Sequence, residues 1–132
     1  MGKTVLVAGA SRGIGLEFAV QYASDGWSVI AGCRRPEQAR RWLPAGVDIQ
    51  PLDVTDLASI EALAWHLNDT PLDLLILNAG VSGSEAADFV APELADFDRV
   101  MRTNVLGPMR MIQVFGASVV ECGGVIASIS SR

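Results

Sequence analysis

Three glycines near the N-terminus are spaced so that they could bind an anion. Gly9, Gly13 and Gly15 form the pattern G-x-x-x-G-x-G within VAGASRGIG, after an aliphatic run and before a helical pattern. Glycine permits a tight turn and a close approach of the backbone to phosphate oxygens, and the free N–H groups that begin a helix favour negative charge. The motif predicts a pyrophosphate site, although an ordinary strand-to-helix turn would also accommodate these glycines.

A basic cluster after the second aliphatic run bears on which nucleotide would bind. The sequence there, AGCRRPE, has no carboxylate at the position where an acidic residue would bind the free ribose hydroxyls of NAD. Arg34 and Arg35 follow Cys33 instead, and Arg12 lies in the glycine loop, so a 2′-phosphate would meet guanidinium groups. This pattern favours NADP over NAD. The alternative is that Arg34 and Arg35 are solvated loop charges, which is the preferred interpretation of Arg35.

Strands and helices must alternate along the chain to position these groups. Short aliphatic runs predict strands at 4–9, 27–33, 47–52, 73–80 and 124–130, and apolar residues at helical spacing predict helices at 13–24, 36–43, 56–67 and about 92–121. Ile14, Phe18 and Tyr22 form the apolar stripe of the first helix. The alternation predicts an α/β fold, a doubly wound, Rossmann-like parallel sheet, for which we expect the strand order 3-2-1-4-5.

The longest irregular stretch, at roughly 80–91, has a length typical of a functional loop. It would lie at the carboxyl ends of the strands, where ligands bind in open α/β sheets. The site is therefore expected at that edge.

Composition excludes several other classes of protein. The 132 residues fit one domain, 1–132, and no apolar run approaches the ~18 residues of a membrane span. The N-terminus does not resemble a signal peptide, so we expect a cytoplasmic protein. A net charge of −5 argues against nucleic-acid binding, and Cys33, Cys122 and His66 have no metal-ligand spacing.

Several motifs in order resemble the N-terminal half of a short-chain dehydrogenase/reductase, over residues 3–131. Besides the glycines, LDVTD at 52–56, LNAG at 77–80, RTNVLGP at 102–108 and GVIASISS at 124–131 match segments of that family. Ala8 stands where the family usually has threonine. The resemblance implies cofactor contacts from Gly9, Ser11, Arg12, Gly13, Ile14, Gly15, Arg34, Asp53, Val54, Asn78, Ala79 and Gly80.

Some of these positions have simpler interpretations. Asp53, which the resemblance places against adenine, could instead cap the turn that follows it. Asn78 and Gly80 could form a turn that ends the fourth strand, since asparagine and glycine favour turns. Both interpretations stay open from the sequence alone.

The resemblance also implies a reaction, hydride transfer between a nicotinamide and a small carbonyl or alcohol substrate. The catalytic serine would be Ser131, with Ser130 less favoured, unless the hydroxyl only bonds to nearby backbone. Asn104 would help to hold a water relay. Pro108 has no N–H to donate to the Asn104 carbonyl, so that carbonyl is free to bind water and the helix should kink. Alternatively, the Gly107-Pro108 pair only bends the helix, and Asn104 packs there.

The family's Tyr-x-x-x-Lys motif has no counterpart, since Tyr22 is the only tyrosine and Lys3 the only lysine. We therefore expect the chain as given to be inactive. It is either the portion of an NADP-dependent oxidoreductase that precedes this motif, or a non-catalytic nucleotide-binding protein that ends naturally here. An uncovered apolar fifth strand would favour a homo-oligomer.

Overall fold

The computed structural model describes residues 2–84 and 88–130. Its elements alternate along the chain as predicted. They are β1 (Thr4–Ala8), α1 (Gly13–Ser24), β2 (Ser28–Cys33), α2 (Pro36–Ala39), β3 (Asp48–Pro51), α3 (Leu57–Leu67), β4 (Leu74–Leu77), α4 (Leu94–Met101), a π-helical segment (Arg102–Leu106), α5 (Gly107–Cys122) and β5 (Val125–Ser128).

The strands form one 5-stranded parallel sheet in the order β3-β2-β1-β4-β5. The predicted fold class and strand order are confirmed. The order reverses at β1, which pairs with β2 on one side and β4 on the other. A crevice at the carboxyl ends of the strands is expected at such a reversal.

Alternation along the buried strands divides the core between the two faces of the sheet. In β1, Leu6 and Ala8 pack on one face, and Val5 and Val7 pack on the other, because successive side chains of a strand point in opposite directions. The first face is covered by residues of α3 and α5, and the second by residues of α1. Aliphatic strands buried on both faces, with helices on each side, are the packing that the near-continuous apolar runs predict.

The structure corrects two helix predictions. The helix predicted at 36–43 is only Pro36–Ala39. The chain continues as a turn in which the Trp42 N–H bonds back three residues to the Ala39 carbonyl, and Pro44 disfavours a helical conformation at Leu43. The predicted stripe of α1 is wrong at its first position. Ile14 is 60% exposed, while Phe18 and Tyr22 are partly buried against the core.

The long helix predicted at about 92–121 is observed as α4, the π-helical segment and α5 in succession. The π-helical turn, with the Gly107 N–H bonded to the Arg102 carbonyl, directly precedes Pro108. The residues before α4 that the structure describes, 78–84 and 88–93, contain no helix or strand. None of the helices within 2–84 and 88–130 has the length and apolar character needed to cross a membrane.

Candidate functional site

A cleft of about 330 Å³ opens at the carboxyl ends of the strands, beside the reversal at β1. Its volume lies within the range of small-molecule sites. The lining residues come from the glycine loop, the ends of β2, β3 and β4, and the π-helical segment. They are Gly9, Ser11, Arg12, Gly13, Ile14, Arg34, Leu52, Asp53, Val54, Thr55, Asn78, Ala79, Gly80, Val81 and Thr103.

Two glycines of the motif allow the loop to pack against its neighbours. A Cβ at Gly15 would lie 1.8 Å from the carbonyl oxygen of Gly9 and 2.6 Å from Nδ2 of Asn78. Gly9 has a φ of +88°, and a Cβ there would lie 2.8 Å from the backbone nitrogen of Ala79. No other residue fits either position without displacing backbone. Gly15, predicted as a cofactor contact, is buried behind the loop and does not line the cleft.

The start of α1 faces the cleft without a side-chain cap. Arg12 is the N-cap residue in an extended conformation, and its side chain makes no capping hydrogen bond. The first intrahelical bond of this turn runs from the Leu16 N–H to the Arg12 carbonyl, so the amides of residues 13–15 have no acceptor within the helix. These donors and the positive end of the helix dipole favour an anion at this point.

Two guanidinium groups lie at the rim of the same cleft. Arg12 and Arg34 both line it and are exposed, whereas Arg35 does not line it. In the described part of the chain the ion pairs are His66–Asp48 and Arg99–Asp96, and neither involves Arg12 or Arg34. Positive charge is therefore concentrated beside the end of β2, where the sequence predicted a 2′-phosphate.

Asn78 connects the end of β4 to the glycine loop. Its Nδ2 donates to the Gly9 carbonyl over 3.0 Å, and its backbone N–H donates to the Ala8 carbonyl. The strand ends at Leu77, so the Asn-Ala-Gly segment is indeed where β4 terminates. The turn interpretation is therefore observed, and the residues that end the strand also form one side of the cleft, while a contact with a cofactor ribose stays a prediction.

Asp53 fixes the turn that follows β3, and its place against adenine stays a prediction. Its Oδ1 accepts hydrogen bonds from the Thr55 N–H (2.9 Å) and hydroxyl (2.6 Å), and its own N–H donates to the Ser59 hydroxyl (2.9 Å). These bonds fix the turn before α3, whose N-cap is Asp56 rather than Asp53. Asp53 also lines the cleft, so the turn holds its carboxylate in a defined place.

Asn104 lies in the π-helical segment, and its side chain makes two hydrogen bonds to one residue. Its Oδ1 accepts from the Val81 N–H and its Nδ2 donates to the Val81 carbonyl, each over 2.8 Å. The side chain thus holds the residue that follows the Asn-Ala-Gly segment. This fits the interpretation of a satisfied amide, while the Asn104 carbonyl still cannot receive a bond from Pro108.

Four residues that line the cleft were missed from the sequence, namely Leu52, Thr55, Val81 and Thr103. Leu52 and Thr55 flank Asp53 and Val54 in the LDVTD motif, and Val81 follows Gly80, so adjacency could have identified them. Thr103 precedes Asn104 on a helix, and its place depends on how that helix packs. Asn104 itself does not line the cleft, and Ser131 lies outside the described residues.

Comparison with known proteins defines the class. A sequence model described as short chain dehydrogenase matches residues 3–132, and the chain belongs to that family. It is 32% identical to the short-chain dehydrogenase fogD of Aspergillus ruber, covering 98% of this chain and 46% of that protein. It is also 32% identical to galactitol 2-dehydrogenase of Agrobacterium fabrum, covering 98% and 53%.

A solved structure from Burkholderia multivorans, described as a short-chain dehydrogenase/reductase with bound NADP, superposes with a TM-score of 0.83. The two chains are 31% identical, and the match covers 99% of this chain and 59% of that one. The present chain therefore spans about half the length of the relatives that it matches.

Proposed function

We propose that this chain is the cofactor-binding portion of an NADP(H)-dependent oxidoreductase acting on a small carbonyl or alcohol compound. The observation that carries the proposal is one cleft in which the start of α1, without a side-chain cap, and two guanidinium groups, without an ion pair among the described residues, converge. When bound, the nicotinamide would supply the hydride acceptor or donor. The NADP bound to the Burkholderia multivorans relative supports the choice of cofactor.

The residues present fit such a ligand. The amides of Gly13 and Ile14, which line the cleft, would bind the pyrophosphate, and Arg12 and Arg34 would bind the 2′-phosphate. Asp53 and Val54 would lie against the adenine, and Asn78, Ala79 and Gly80 against a ribose. Ser11, Ile14 and Gly9 complete the loop around the phosphates. No carboxylate follows β2 to bind the free ribose hydroxyls of NAD, which leaves NAD the weaker ligand.

Catalysis by the whole protein would need more than this chain contains. Ser131 would polarise the substrate oxygen, and the carbonyl of Asn104 would hold a water. Tyr22 packs edge-on against Trp27 with ring centroids 4.7 Å apart, Lys3 lies over the same ring, and neither lines the cleft. We propose that the proton-transferring tyrosine and lysine belong to residues outside this chain, since the relatives are about twice as long.

The experiment that tests the cofactor assignment is a fluorescence titration with NADPH and NADH. Arg34→Asp should lower the affinity for NADPH by about tenfold to a hundredfold, because it removes a charge-assisted hydrogen bond and adds repulsion. The affinity for NADH should change far less. Arg35→Asp is the matched control, since that neighbour is exposed and lies outside the cleft. Equal affinities for NADPH and NADH, or equal effects of the two substitutions, would contradict the arginine assignment.

Turnover is tested separately. NADPH consumption should be undetectable with aldehydes, ketones and quinones, because general acid–base catalysis needs a group of suitable pKa near the substrate oxygen. Extending the chain with a Tyr-x-x-x-Lys segment from a relative should give activity that Ser131→Ala removes. Activity of the chain alone that is lost on Ser131→Ala would show that another acid replaces the tyrosine.

We also propose that this chain, on its own, self-associates. β5 pairs only with β4 in the described sheet, and Val125, Ile126 and Ile129 are between 36% and 59% exposed. Apolar side chains on an edge strand favour pairing with another chain. Light scattering should detect concentration-dependent association, and a monomer at every concentration would contradict it. A cytoplasmic location stays a prediction.

A further inference from the structure

The segment after the Asn-Ala-Gly motif forms a wall of the cleft, and it is held by hydrogen bonds from helical segments further along the chain. Val81 lines the cleft, and residues 82–84 continue from it as exposed backbone outside any strand or helix. Hydrogen bonds from α4 and the π-helical segment hold this backbone. The position of the wall therefore depends on side chains that lie 12 to 23 residues further along the chain.

Asp96 accepts two hydrogen bonds, one on each carboxylate oxygen. Its Oδ2 accepts from the Ser84 N–H and its Oδ1 from Nη2 of Arg99, both over 2.9 Å. The bond from Ser84, followed by that from Arg99, holds the pKa of Asp96 below its usual value. The carboxylate stays ionised at neutral pH and can accept both bonds.

Arg99 completes the link with a single nitrogen. Its Nη2 donates to the Ser82 carbonyl over 2.9 Å as well as to Asp96. Asp96 thus holds one end of residues 82–84 and Arg99 holds the other. We refer to these two side chains and their three hydrogen bonds as the α4 brace.

We propose that Asp96 and Arg99 are positioning residues for the cofactor, which keep the wall at Val81 in its binding position through the α4 brace. This inference rests on the proposed function, since it concerns the same cleft. Neither residue lines the cleft, so their effect on binding passes through residues 82–84. An exposed segment without these bonds would have to be ordered when the ligand binds, which lowers affinity.

Three substitutions separate the loss of hydrogen bonds from the loss of side-chain volume. Asp96→Asn keeps the shape but can accept only one of the two bonds, because its amide nitrogen would face a donor. Arg99→Met removes the donor, whereas Arg99→Lys retains one nitrogen that can donate to both acceptors, as Nη2 does now. Asp98→Asn is the matched control, because Asp98 is an exposed acid on the same helix outside the cleft.

The measurement is NADPH affinity by fluorescence titration, with urea unfolding of each variant. Asp96→Asn and Arg99→Met should each lower the affinity for NADPH about fivefold. The double variant should bind NADPH no more weakly than the weaker single variant, because the two side chains act together. Arg99→Lys should recover most of the affinity. Asp98→Asn should bind as the unsubstituted chain does. The unfolding midpoints should all be similar, which distinguishes positioning from a general loss of stability.

Amide hydrogen exchange of residues 79–84, measured without cofactor, tests the brace independently. Faster exchange in Asp96→Asn than in Asp98→Asn, together with the affinity loss, supports the proposal. Normal NADPH affinity in Asp96→Asn and Arg99→Met would overturn it while leaving the proposed function intact. If the unsubstituted chain binds neither NADPH nor NADH, the proposed function fails and this inference fails with it, whatever the exchange data report.

Discussion

The two sides of the cleft are built by different means. On the β1–α1 side, the glycine loop is held by backbone packing, with Gly15 against the Gly9 carbonyl and Gly9 against Ala79. On the α4 side, residues 81–84 are held by side-chain hydrogen bonds from Asn104, Asp96 and Arg99. Neither Gly9 nor Gly15 has room for an added methyl group, whereas the α4 side is exposed and its contacts can rearrange.

This difference indicates which side should be rigid before a ligand binds. Close-packed backbone transmits a change in volume directly, because interiors have few voids to absorb it. Exposed hydrogen bonds contribute less to global stability but determine where a segment lies. We therefore expect substitutions on the glycine side to alter folding, and those on the α4 side to alter local order and binding.

The largest effect is expected for Gly15→Ala. The added Cβ would lie 1.8 Å from a backbone oxygen, so the loop must move, and the free energy of unfolding should fall by about 3 kcal/mol. Urea unfolding measures this. Gly116→Ala in α5 is the matched control, because its nearest contact is 3.9 Å away, and it should be neutral or stabilising by up to about 1 kcal/mol. Similar behaviour of the two variants would contradict the close-packed description.

A smaller effect is expected for Asn78→Ala. It removes the hydrogen bond to the Gly9 carbonyl and leaves a partly buried acceptor unsatisfied, which should lower the free energy of unfolding by roughly 1–2 kcal/mol. Gln21→Ala removes an exposed bond to Glu17 of similar length and should cost less than about 0.5 kcal/mol. If both variants have the same free energy of unfolding in urea, the hydrogen bond from Asn78 does not stabilise the glycine loop.

Gly83→Ala tests the other side with the same added methyl group. The new Cβ would lie 3.3 Å from Oδ2 of Asp96 and 3.5 Å from Cγ2 of Val100, both side-chain atoms that can shift. The free energy of unfolding should change by less than about 0.5 kcal/mol, while the Ser84 amide should exchange faster as Asp96 moves. A destabilisation as large as that of Gly15→Ala would remove the distinction between the two sides.

The smallest effect is a pH dependence confined to the α4 side. The pKa of Asp96 is lowered on folding. The stability that its ionised carboxylate contributes is therefore fully present above the unfolded pKa, and it is lost as the pH falls through the lower folded pKa. Protection of the Ser84 amide, corrected for intrinsic exchange, should therefore be constant from neutral pH into mild acid and fall only below the usual range of aspartate. Loss of protection near pH 6 would contradict this, and Asp96→Asn should show no such transition.

Local patterns of the sequence determined the fold and most of the glycine side. Aliphatic runs alternating with helical periods predict the doubly wound parallel sheet, because parallel strands need crossover helices and these have one handedness. Four residues could be identified because they follow β1 or β2, where phosphate groups would bind: Gly9, Arg12, Gly13 and Arg34. All four line the cleft.

Only the tertiary structure decided how the parts of the site hold one another. The bond from Asn78 to Gly9 spans 69 residues, and that between Val81 and Asn104 spans 23, so no local spacing predicts either. The glycine motif alone cannot distinguish a glycine that faces phosphate from one that faces backbone, and only the structure shows Gly15 packed against the Gly9 carbonyl. The α4 brace was not predicted, because the register of a helix against a distant loop depends on packing, which the chain specifies only when folded.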